Sequence, residues 1–492
     1  MLRKPFFSKP WYLLLLPVFF VLHGFEENFY LIPVKDSLIL LFIYTGCSII
    51  LAILFLWYFK NITRAAFFSF LLMGFNFFFG YLHDGLKSFF PDSFVVKYSV
   101  VLSVAFLFFL AFAFLMKKKK FALKKMAVYL NLVLGVFIVI DIALVVKKSV
   151  SRSGEDRKSA LEDFNLPLSH KNLPDVYLII ADEYAGSKDL SDICGFDNTP
   201  FLDSLRKKGF FIANNSRSNY NYTVYSMASV LNMDYLVLNS EQMKKGDHKY
   251  ALKKIFDNRV VSFFKQAGYE FYNYSSFDMS GQPAGNNNSF IPARTTLFTS
   301  QTLVNRFKRD VWMNLARMLN LQGILKKSLF QNLRFNEQVY KETVNIAHSS
   351  NKRHKFVYTH LELPHYPYYN DDNGDIYPYK KIMNDAPGNT KHYVLYLQYA
   401  NRQLLKLVDE ILQNNSALPV IILMSDHGYR CYPNGKESYA FVNLSSVYLP
   451  DKNYSLFSDS LNNVNVFRTL LNSEFNQHLP LLKDTSITIS VY

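Results

Sequence analysis

The chain has 492 residues, of which half are hydrophobic and 17% are aromatic, and its formal net charge is +15. It is too long for one small core, and the apolar residues before about residue 147 are too dense for a wholly soluble protein. Residues 1–146 carry +8 of the charge, which membrane topology explains, so we expect no nucleic-acid partner. There are three cysteines and no CxxC, which gives no support to a cysteine–zinc site.

Five apolar runs precede residue 147, and most approach the roughly 20 residues that a helix needs to cross a bilayer. We therefore predict a five-helix transmembrane domain over residues 1–146, followed by a juxtamembrane linker at 147–172. The alternative is a buried helical core in a soluble protein, which five long runs in succession disfavour. The predicted spans are Trp11–Phe25, Ser37–Tyr58, Ala65–Leu82, Tyr98–Met116 and Ala127–Val146.

Lysine and arginine are concentrated on one side of the predicted spans. Three cations lie within the first nine residues, Lys60 and Arg64 follow the second span, and six lysines separate the fourth span from the fifth. Because loops rich in lysine and arginine stay in the cytoplasm, we expect a cytoplasmic N-terminus in the inner (cytoplasmic) membrane. Five crossings would then place everything after Val146 in the periplasm or outside the cell.

Polar side chains cluster where two spans are predicted to end on the outer side. Glu26 and Glu27 follow the first span, and His83 and Asp84 follow the third. Our hypothesis is that these groups help to admit a lipid headgroup. Ordinary solvation at the membrane interface is the alternative explanation.

From Asp175 onward, short apolar or β-branched runs alternate with helical patterns, which is typical of an α/β domain with a largely parallel sheet. We place this domain at residues 173–492 and treat the helical stretch Gln301–Ile346 as an insertion. The expected strands are Val176–Ala181, Gly209–Ala213, Glu270–Tyr274, Lys355–Thr359, Pro419–Met424 and Ser446–Leu449.

Acidic residues and a histidine directly follow two of these strands. Asp182 and Glu183 come after the first strand, and Asp426 and His427 come after the fifth. If the two strands are parallel neighbours, these groups meet at the carboxyl edge of the sheet, where ligands bind in α/β proteins. Carboxylates and imidazole are ligands for divalent cations, although such acids can also simply cap a following helix.

Thr223 lies in a Thr-x-x-Ser motif with Ser226, in a loop that is predicted to enter a helix. A threonine hydroxyl becomes a nucleophile only when a base or a metal activates it. The amides of the first helical turn could hold a phosphoryl oxygen. The alternative is that Thr223 merely caps the helix.

Two histidines, His360 and His365, follow the strand predicted at Lys355–Thr359. Pro364 and Pro367 make this stretch a rigid loop rather than a helix. Histidines at this position could bind oxygens of the transferred group, protonate a leaving group or ligate a metal. A structural role is the alternative, and we favour His365 for a direct role.

In this order, the motifs resemble the alkaline phosphatase and sulfatase superfamily, specifically its membrane-anchored branch of lipoteichoic acid synthases and phosphoethanolamine transferases. The resemblance spans nearly the whole chain and implies an exported α/β sulfatase-like domain behind five membrane helices. It implies one divalent metal ion, zinc or manganese, with Thr223 as the residue that is transiently modified and His365 on the substrate side. The implied metal ligands are Asp182, Thr223, Asp426 and His427, with Glu183, His360 and Ser226 as additional candidates for metal or substrate.

The function that this resemblance implies is the transfer of a phospholipid headgroup, of the phosphoethanolamine or phosphoglycerol type, through a phosphothreonine to a cell-surface glycan or lipid. A formylglycine sulfatase is disfavoured because Thr223 lacks a Cys/Ser-x-Pro-x-Arg context. After Asp426 the sequence reads His-Gly-Tyr-Arg-Cys-Tyr, without the Glu-Ser of phosphoethanolamine transferases. Two alternatives remain: a phosphodiesterase, phosphatase or sulfatase-like hydrolase, and a catalytically inactive membrane scaffold.

Overall fold

The computed structural model of the chain describes residues 8–119, 121–151, 164–166, 173–238, 245–279, 281–285, 293–350, 353–414, 417–431 and 437–490. The chain divides into two compact units. The helical unit comprises Met1–Glu155 and Asn287–Leu325, and the sheet unit comprises Asp156–Asn286 and Lys326–Tyr492. The domain predicted at 173–492 is therefore interrupted, because a segment from its middle packs with the helices.

The first five helices lie where the five apolar runs were predicted, and their bounds are α1 Tyr12–Glu27, α2 Val34–Phe59, α3 Ile62–Phe89, α4 Tyr98–Lys118 and α5 Leu123–Ser151. Four of them, α2 to α5, are long and apolar enough to cross a membrane. Helix α1 has 16 residues, which is about 24 Å at 1.5 Å per residue and falls short of a bilayer core of about 30 Å. The count of five crossings is thus not confirmed.

Helix α1 is nevertheless an interior helix of its unit. Tyr12 is fully buried, and Phe20 stacks on Phe77 of α3 with ring centroids 4.1 Å apart. Helix α1 packs against α2, α3 and α5. The buried side of helix α1 is therefore enclosed by other helices, and the rest of its apolar side chains are partly buried.

The segment 293–325 packs directly on these helices. The backbone N–H of Gly80 in α3 donates to the carbonyl of Gln301 at 2.7 Å, and the N–H of Val304 donates to Asn76 Oδ1 at 3.3 Å. A Cβ on Gly80 would lie 2.6 Å from the Gln301 carbonyl oxygen, so this approach requires glycine. The segment contains α11 Thr296–Thr299, α12 Leu303–Phe307, a π-helical turn Lys308–Trp312, α13 Met313–Met318 and the first half of α14 Gln322–Leu329.

The insertion predicted at Gln301–Ile346 is consequently split between the units. Its part up to Leu325 belongs to the helical unit, and α15 Gln331–Ala347 packs on the sheet. The predicted linker also differs, because residues 147–151 continue helix α5. Residues 152–163 and 167–172 of that linker lie outside the described residues. Phe164 is buried against Phe263, with 5.0 Å between ring centroids.

The described residues of the sheet unit form six strands in the order β2-β6-β5-β1-β4-β3, and of these only β6 runs antiparallel to the rest. This agrees with the largely parallel sheet that was predicted. In the register, Ile180 of β1 lies between His360 of β4 and Met424 of β5. The strands are β1 Val176–Ala181, β2 Phe211–Ile212, β3 Glu270–Tyr274, β4 Lys355–Leu361, β5 Val420–Met424 and β6 Ser445–Tyr448.

Both faces of the sheet are covered, which explains why its strands read as continuous apolar runs. Along β1, Leu178 and Ile180 belong to one core cluster, and Tyr177 and Ile179 belong to the other. Helices α8 Thr223–Asn232, α10 Arg259–Gln266 and α18 Val466–Glu474 contribute to the first core, and α7 Thr199–Lys208, α15 and α17 Thr390–Asn414 contribute to the second. The remaining helices are α6 Ser187–Cys194, α9 Lys245–Phe256 and α16 Tyr379–Met383.

A buried carboxyl in α6 makes the stability of the sheet unit depend on pH. Burial raises the pKa of Asp189 from 3.8 to about 7. The folded state therefore holds this proton more tightly than the unfolded chain, so stability is lost as pH rises from about 4 to about 7. We expect Asp189→Asn to raise Tm by about 2–5 °C at pH 8 and by less at pH 5.

Thermal melts of the full chain at the two pH values test this prediction. Asp203→Asn is the control, because the Asp203 side chain lies in the neighbouring helix α7 and is half exposed. If Asp189→Asn changed Tm equally at pH 5 and pH 8, Asp189 would not be the group that makes stability depend on pH.

Candidate active site and metal centre

The carboxyl edge of the sheet brings together residues from three adjacent strands. Asp182 follows β1, and Asp426 follows β5. His360 is the second-last residue of β4. One potential ligand atom from each of the three lies within 4.8 Å of the others, and all three side chains are buried. The neighbouring parallel strands that the prediction required are present, and their ends converge.

Two imidazoles approach these carboxylates. His427 Nε2 lies 3.3 Å from Asp426 Oδ2 and 3.9 Å from Asp182 Oδ1, and His360 Nε2 lies 3.5 Å from Asp182 Oδ2. His427 Nδ1 lies 2.8 Å from the Gly428 carbonyl and donates its proton there. The neutral ring then directs the Nε2 lone pair toward the carboxylates, which is the tautomer that a metal-ligating histidine requires.

The donor set fits a cation. Asp182 Oδ1 and Asp426 Oδ2 are buried and have no hydrogen-bond partner among the residues that the structure describes. Burial of a carboxylate oxygen without a partner is costly, and it is rare in folded proteins unless an ion or water satisfies it. Carboxylate oxygens with imidazole nitrogens suit zinc or manganese. A divalent cation bound by Asp182, Asp426 and His427 would satisfy both oxygens.

The electrostatics keep the acid ionised. Burial raises the pKa of Asp182, but the adjacent imidazoles of His365 and His360 outweigh it and hold that pKa well below its usual range. Burial lowers the pKa of His365, but the carboxylates of Asp182 and Glu183 together raise it by more. The pKa of His365 is therefore raised overall. The edge therefore combines anionic carboxylates with an imidazole that readily holds a proton.

A fixed turn after β1 positions the acidic pair. Glu183 adopts φ +62°, a left-handed conformation that is uncommon for a residue other than glycine. Its N–H donates to Asp426 Oδ1 at 3.2 Å, and its carbonyl accepts from the hydroxyl of Tyr393 at 2.8 Å. The turn thus ties the end of β1 to the end of β5.

Thr223 begins helix α8, and its hydroxyl faces the acidic edge. Thr223 Oγ1 lies 3.3 Å from His427 Nε2. The residue that caps the helix is Tyr222, and it makes no side-chain capping hydrogen bond. The alternative in which Thr223 is a simple cap therefore does not describe this structure, and its hydroxyl is available at the site.

Ser226 and Asn463 hold the backbone behind Asp426. Ser226 Oγ donates to the Asp426 carbonyl at 2.6 Å, and Asn463 Nδ2 donates to the same oxygen at 3.0 Å. Both side chains are buried. Ser226 therefore positions the strand end, and its hydroxyl is directed away from a role in ligating metal.

Arg430 occupies the wall between Glu183 and His365, and the sequence analysis did not single it out. Its Nε lies 3.3 Å from Glu183 Oε1, its Nη2 lies 3.4 Å from His365 Nε2, and its guanidinium stacks 4.8 Å from the centre of the Tyr222 ring. His365 Nε2 also lies 3.6 Å from Glu183 Oε2. Arg430 is three residues beyond His427, so the unusual Tyr-Arg-Cys-Tyr continuation was the available signal.

The two histidines of the β4 loop have different environments. His360 lies within β4 rather than after it, is 1% exposed, and its Nδ1 lies 2.7 Å from the hydroxyl of Tyr358. His365 is partly exposed, and its Nδ1 donates to the Tyr366 carbonyl at 2.6 Å. His360 is thus the histidine of this loop that lies close to both Asp182 and Asp426. His365 lies on the solvent-exposed side of the site.

Gly428 allows the Asp-His turn to form. A Cβ at this position would lie 2.3 Å from the Val442 carbonyl oxygen and 2.5 Å from that of Tyr439. Because both obstacles are backbone atoms, we expect Gly428→Ala to lower the free energy of unfolding by about 1–3 kcal/mol and to weaken metal binding.

Chemical denaturation together with metal titration checks this expectation. Gly323→Ala is the control, because a Cβ at Gly323 meets no atom within 4 Å. Unchanged metal affinity in Gly428→Ala would show that the turn tolerates displacement.

The polar residues predicted to receive a headgroup have partners within the helical unit. Glu26 pairs with Lys148 at 2.8 Å, and His23 Nε2 lies 3.8 Å from Glu27. Asp84 pairs with the Arg306 guanidinium, and His83 is buried with Nε2 2.8 Å from the Val96 carbonyl. Asp141 in α5 is also buried, and its Oδ1 lies 3.1 Å from His23 Nδ1.

A family model described as Sulfatase matches residues 174–467. The chain is similar to the C-terminal periplasmic domain of EcEptC from Escherichia coli in complex with Zn, at 14% identity and a TM-score of 0.39, covering 65% of this chain and 90% of that one.

Two further structures are similar at comparable levels. The C-terminal periplasmic domain of phosphoethanolamine transferase EptC from Campylobacter jejuni is 15% identical, with a TM-score of 0.35 and coverage of 63% of this chain and 92% of that one. The integral membrane protein lipooligosaccharide phosphoethanolamine transferase A (EptA) from Neisseria meningitidis is 12% identical, with a TM-score of 0.38 and coverage of 94% and 95%. No curated protein matched the chain.

Proposed function

Because this chain belongs to the sulfatase family, we propose that it is a membrane-anchored, metal-dependent phosphotransferase that moves a phospholipid headgroup to an acceptor hydroxyl. The observation that carries this proposal is the position of the Thr223 hydroxyl, 3.3 Å from His427 Nε2. The same nitrogen lies 3.3 Å from Asp426 Oδ2, a buried oxygen that has no hydrogen-bond partner among the described residues. A hydroxyl at the start of a helix, next to an edge whose carboxylates could bind a cation, supports Thr223 as the nucleophile.

The residues that would hold the metal are Asp182, Asp426, His427 and Thr223, with His360 as a further nitrogen donor. When bound, a divalent cation would lower the pKa of the nucleophilic hydroxyl and offset negative charge on the phosphoryl group. Glu183 is bound to Arg430, so its carboxylate orients that guanidinium rather than the metal.

In the first step, Thr223 Oγ1 bonds to the headgroup phosphorus and its hydroxyl proton passes to solvent water. The bond from phosphorus to the diacylglycerol oxygen breaks, and that oxygen takes up a proton. His365 lies on the open side of the site and has a raised pKa, so it is the imidazole placed to supply this proton. The products are diacylglycerol and a headgroup phosphodiester on Thr223.

In the second step, an acceptor hydroxyl on a cell-envelope glycan or lipid bonds to the same phosphorus. The bond from phosphorus to Thr223 Oγ1 breaks, and that oxygen takes up a proton from solvent water, which restores the threonine hydroxyl. His365 returns to its protonated form by taking the proton of the acceptor hydroxyl. The covalent intermediate thus replaces one difficult displacement with two easier ones. The first-turn amides of α8 are placed to hold phosphoryl oxygens in both steps.

We also propose that the sheet unit is exported, in the periplasm or outside the cell. Helix α2 begins and α5 ends on the same side of the four membrane-spanning candidates, because each intervening helix reverses direction. The lysine-rich stretches lie at the other ends of these helices, which favours the cytoplasm for that side. This assignment does not depend on whether α1 completes a fifth crossing.

Product analysis with a headgroup-labelled phospholipid tests the reaction. The full chain in nanodiscs should release diacylglycerol and transfer the label to a glycan or lipid acceptor from envelope extracts. Label recovered only as a water-soluble headgroup phosphate would indicate a hydrolase, and an unchanged substrate with every metal tested would indicate a scaffold. Comparison of lipids and glycans from cells with and without the protein would identify the acceptor.

A further inference from the structure

The helical unit contains an apolar cavity of about 450 Å³ between α3 and α4, and it is open on the side where its lining residues Val104 and Phe108 are exposed. This volume lies in the range of small-molecule binding sites, and every lining side chain is apolar. Its walls include Phe75 and Leu86 of α3, Val95 of the connecting turn, and Val101, Ala105 and Phe109 of α4.

The length of the cavity along α4 matches the thickness of the hydrocarbon region of one membrane leaflet. The lining residues of α4 extend from Val100 to Phe109, which is about 14 Å of helix. Half of a bilayer core of about 30 Å has the same depth. Both walls belong to helices long and apolar enough to cross a membrane, so lipid chains would surround the opening.

Cationic side chains mark the end of the cavity that lies at the start of α4. Lys87 directly follows the lining residue Leu86, Lys97 lies two residues after the lining residue Val95, and both lysines are exposed. A phospholipid whose chain lay in the cavity would bring its phosphate to the level of these two ammonium groups. Because a lipid chain is already in an apolar phase, headgroup charge and chain packing must supply the selectivity.

We propose that this cavity binds one acyl chain of a phospholipid whose phosphodiester is held by Lys87 and Lys97. This inference rests on the proposed function in one respect, namely that the bound lipid is the headgroup donor. A membrane phospholipid fits this cavity because the lining is apolar over the length of one leaflet and two exposed lysines lie at one end.

Photolabelling of the full chain in nanodiscs tests the proposal without requiring turnover. The probes are phosphatidylethanolamine and phosphatidylglycerol, each with a photoreactive acyl chain, and diacylglycerol with the same chain. We expect adducts in α3 and α4 from both phospholipids, and at least fivefold fewer from diacylglycerol because it lacks the phosphate. Lys87→Gln combined with Lys97→Gln should remove this difference.

Ala105→Phe fills the cavity and should reduce phospholipid labelling of α3 and α4 at least fivefold. Ala111→Phe is the matched control, since Ala111 is exposed on the same helix and does not line the cavity. Equal labelling of the two variants, equal labelling of all exposed helix faces, or crosslinks to a second copy in place of lipid would overturn the proposal.

The same preparations separate this inference from the proposed function. Labelling is expected to persist in Thr223→Ala, which cannot transfer the headgroup. Persistent headgroup transfer in Ala105→Phe, with labelling lost, would overturn the donor role of the cavity while the reaction stands. Retained labelling in a chain that never transfers a headgroup would overturn the reaction and leave the lipid site.

Discussion

Replacement of Thr223 by alanine is expected to reduce headgroup transfer by at least about 10³-fold, the scale seen when a catalytic nucleophile is removed. The hydroxyl oxygen is the atom proposed to bond to phosphorus, and it lies 3.3 Å from His427 Nε2. The buried carboxylates remain in this variant, so metal binding should change little. Rates with labelled lipid and metal content of the same preparation provide the two measurements.

Thr223→Ser is the control for this prediction, because serine keeps a hydroxyl at the same position. It should retain measurable transfer and form the adduct on the serine. If Thr223→Ala and wild type turned over at similar rates, another group would have to be the nucleophile.

Replacement of Asp426 by asparagine is expected to weaken metal binding by at least about 100-fold, since even groups that only support metal ligands cost 10–100-fold. Asp426 is fully buried, and its Oδ2 has no hydrogen-bond partner among the described residues. Without a cation, Asp182 and Asp426 repel each other at close range. The metal-free variant should therefore be more stable than metal-free wild type, while added metal should stabilise it less.

Metal content and the rise in Tm on adding zinc or manganese test this prediction without an activity assay. Asp385→Asn is a suitable control, because Asp385 is a buried carboxylate paired with His392 at 2.7 Å outside the proposed metal ligands. Full metal occupancy in Asp426→Asn would contradict its role as a ligand.

The strands and the acidic edge were predictable because both depend on local sequence. Strands that are buried on both faces must be apolar throughout, and the polar residues that end them, Asp182 and Asp426, stand out for that reason. Because neighbouring parallel strands end at the same edge of a sheet, the sequence predicts that these two residues lie close together.

Other parts of the site depend on contacts that local sequence does not encode. Asn463 supports the Asp426 carbonyl from 37 residues away, and Tyr358 bonds to His360 from two residues earlier in a buried strand. Neither residue type nor spacing distinguishes them from ordinary core polar residues. Arg430 was visible in the sequence as a departure from the family pattern, but its contacts with Glu183 and His365 required the fold.

The division of the chain into units was also beyond the sequence. The pattern of Gln301–Ile346 indicated helices without indicating which surface they cover. The fit of Gln301 against Gly80 of α3 assigns the first part to the helical unit. Likewise, composition marked α1 as a span, whereas its helix of 16 residues is shorter than the other four.

Mass spectrometry of the Thr223 peptide, after the full chain has been incubated with a headgroup-labelled phospholipid and metal in the absence of acceptor, tests the central claim most directly. The account predicts the labelled headgroup phosphate on Thr223, and its disappearance when acceptor is added. Turnover with Thr223 unmodified at every quenched time point, or an adduct on a different residue, would contradict it.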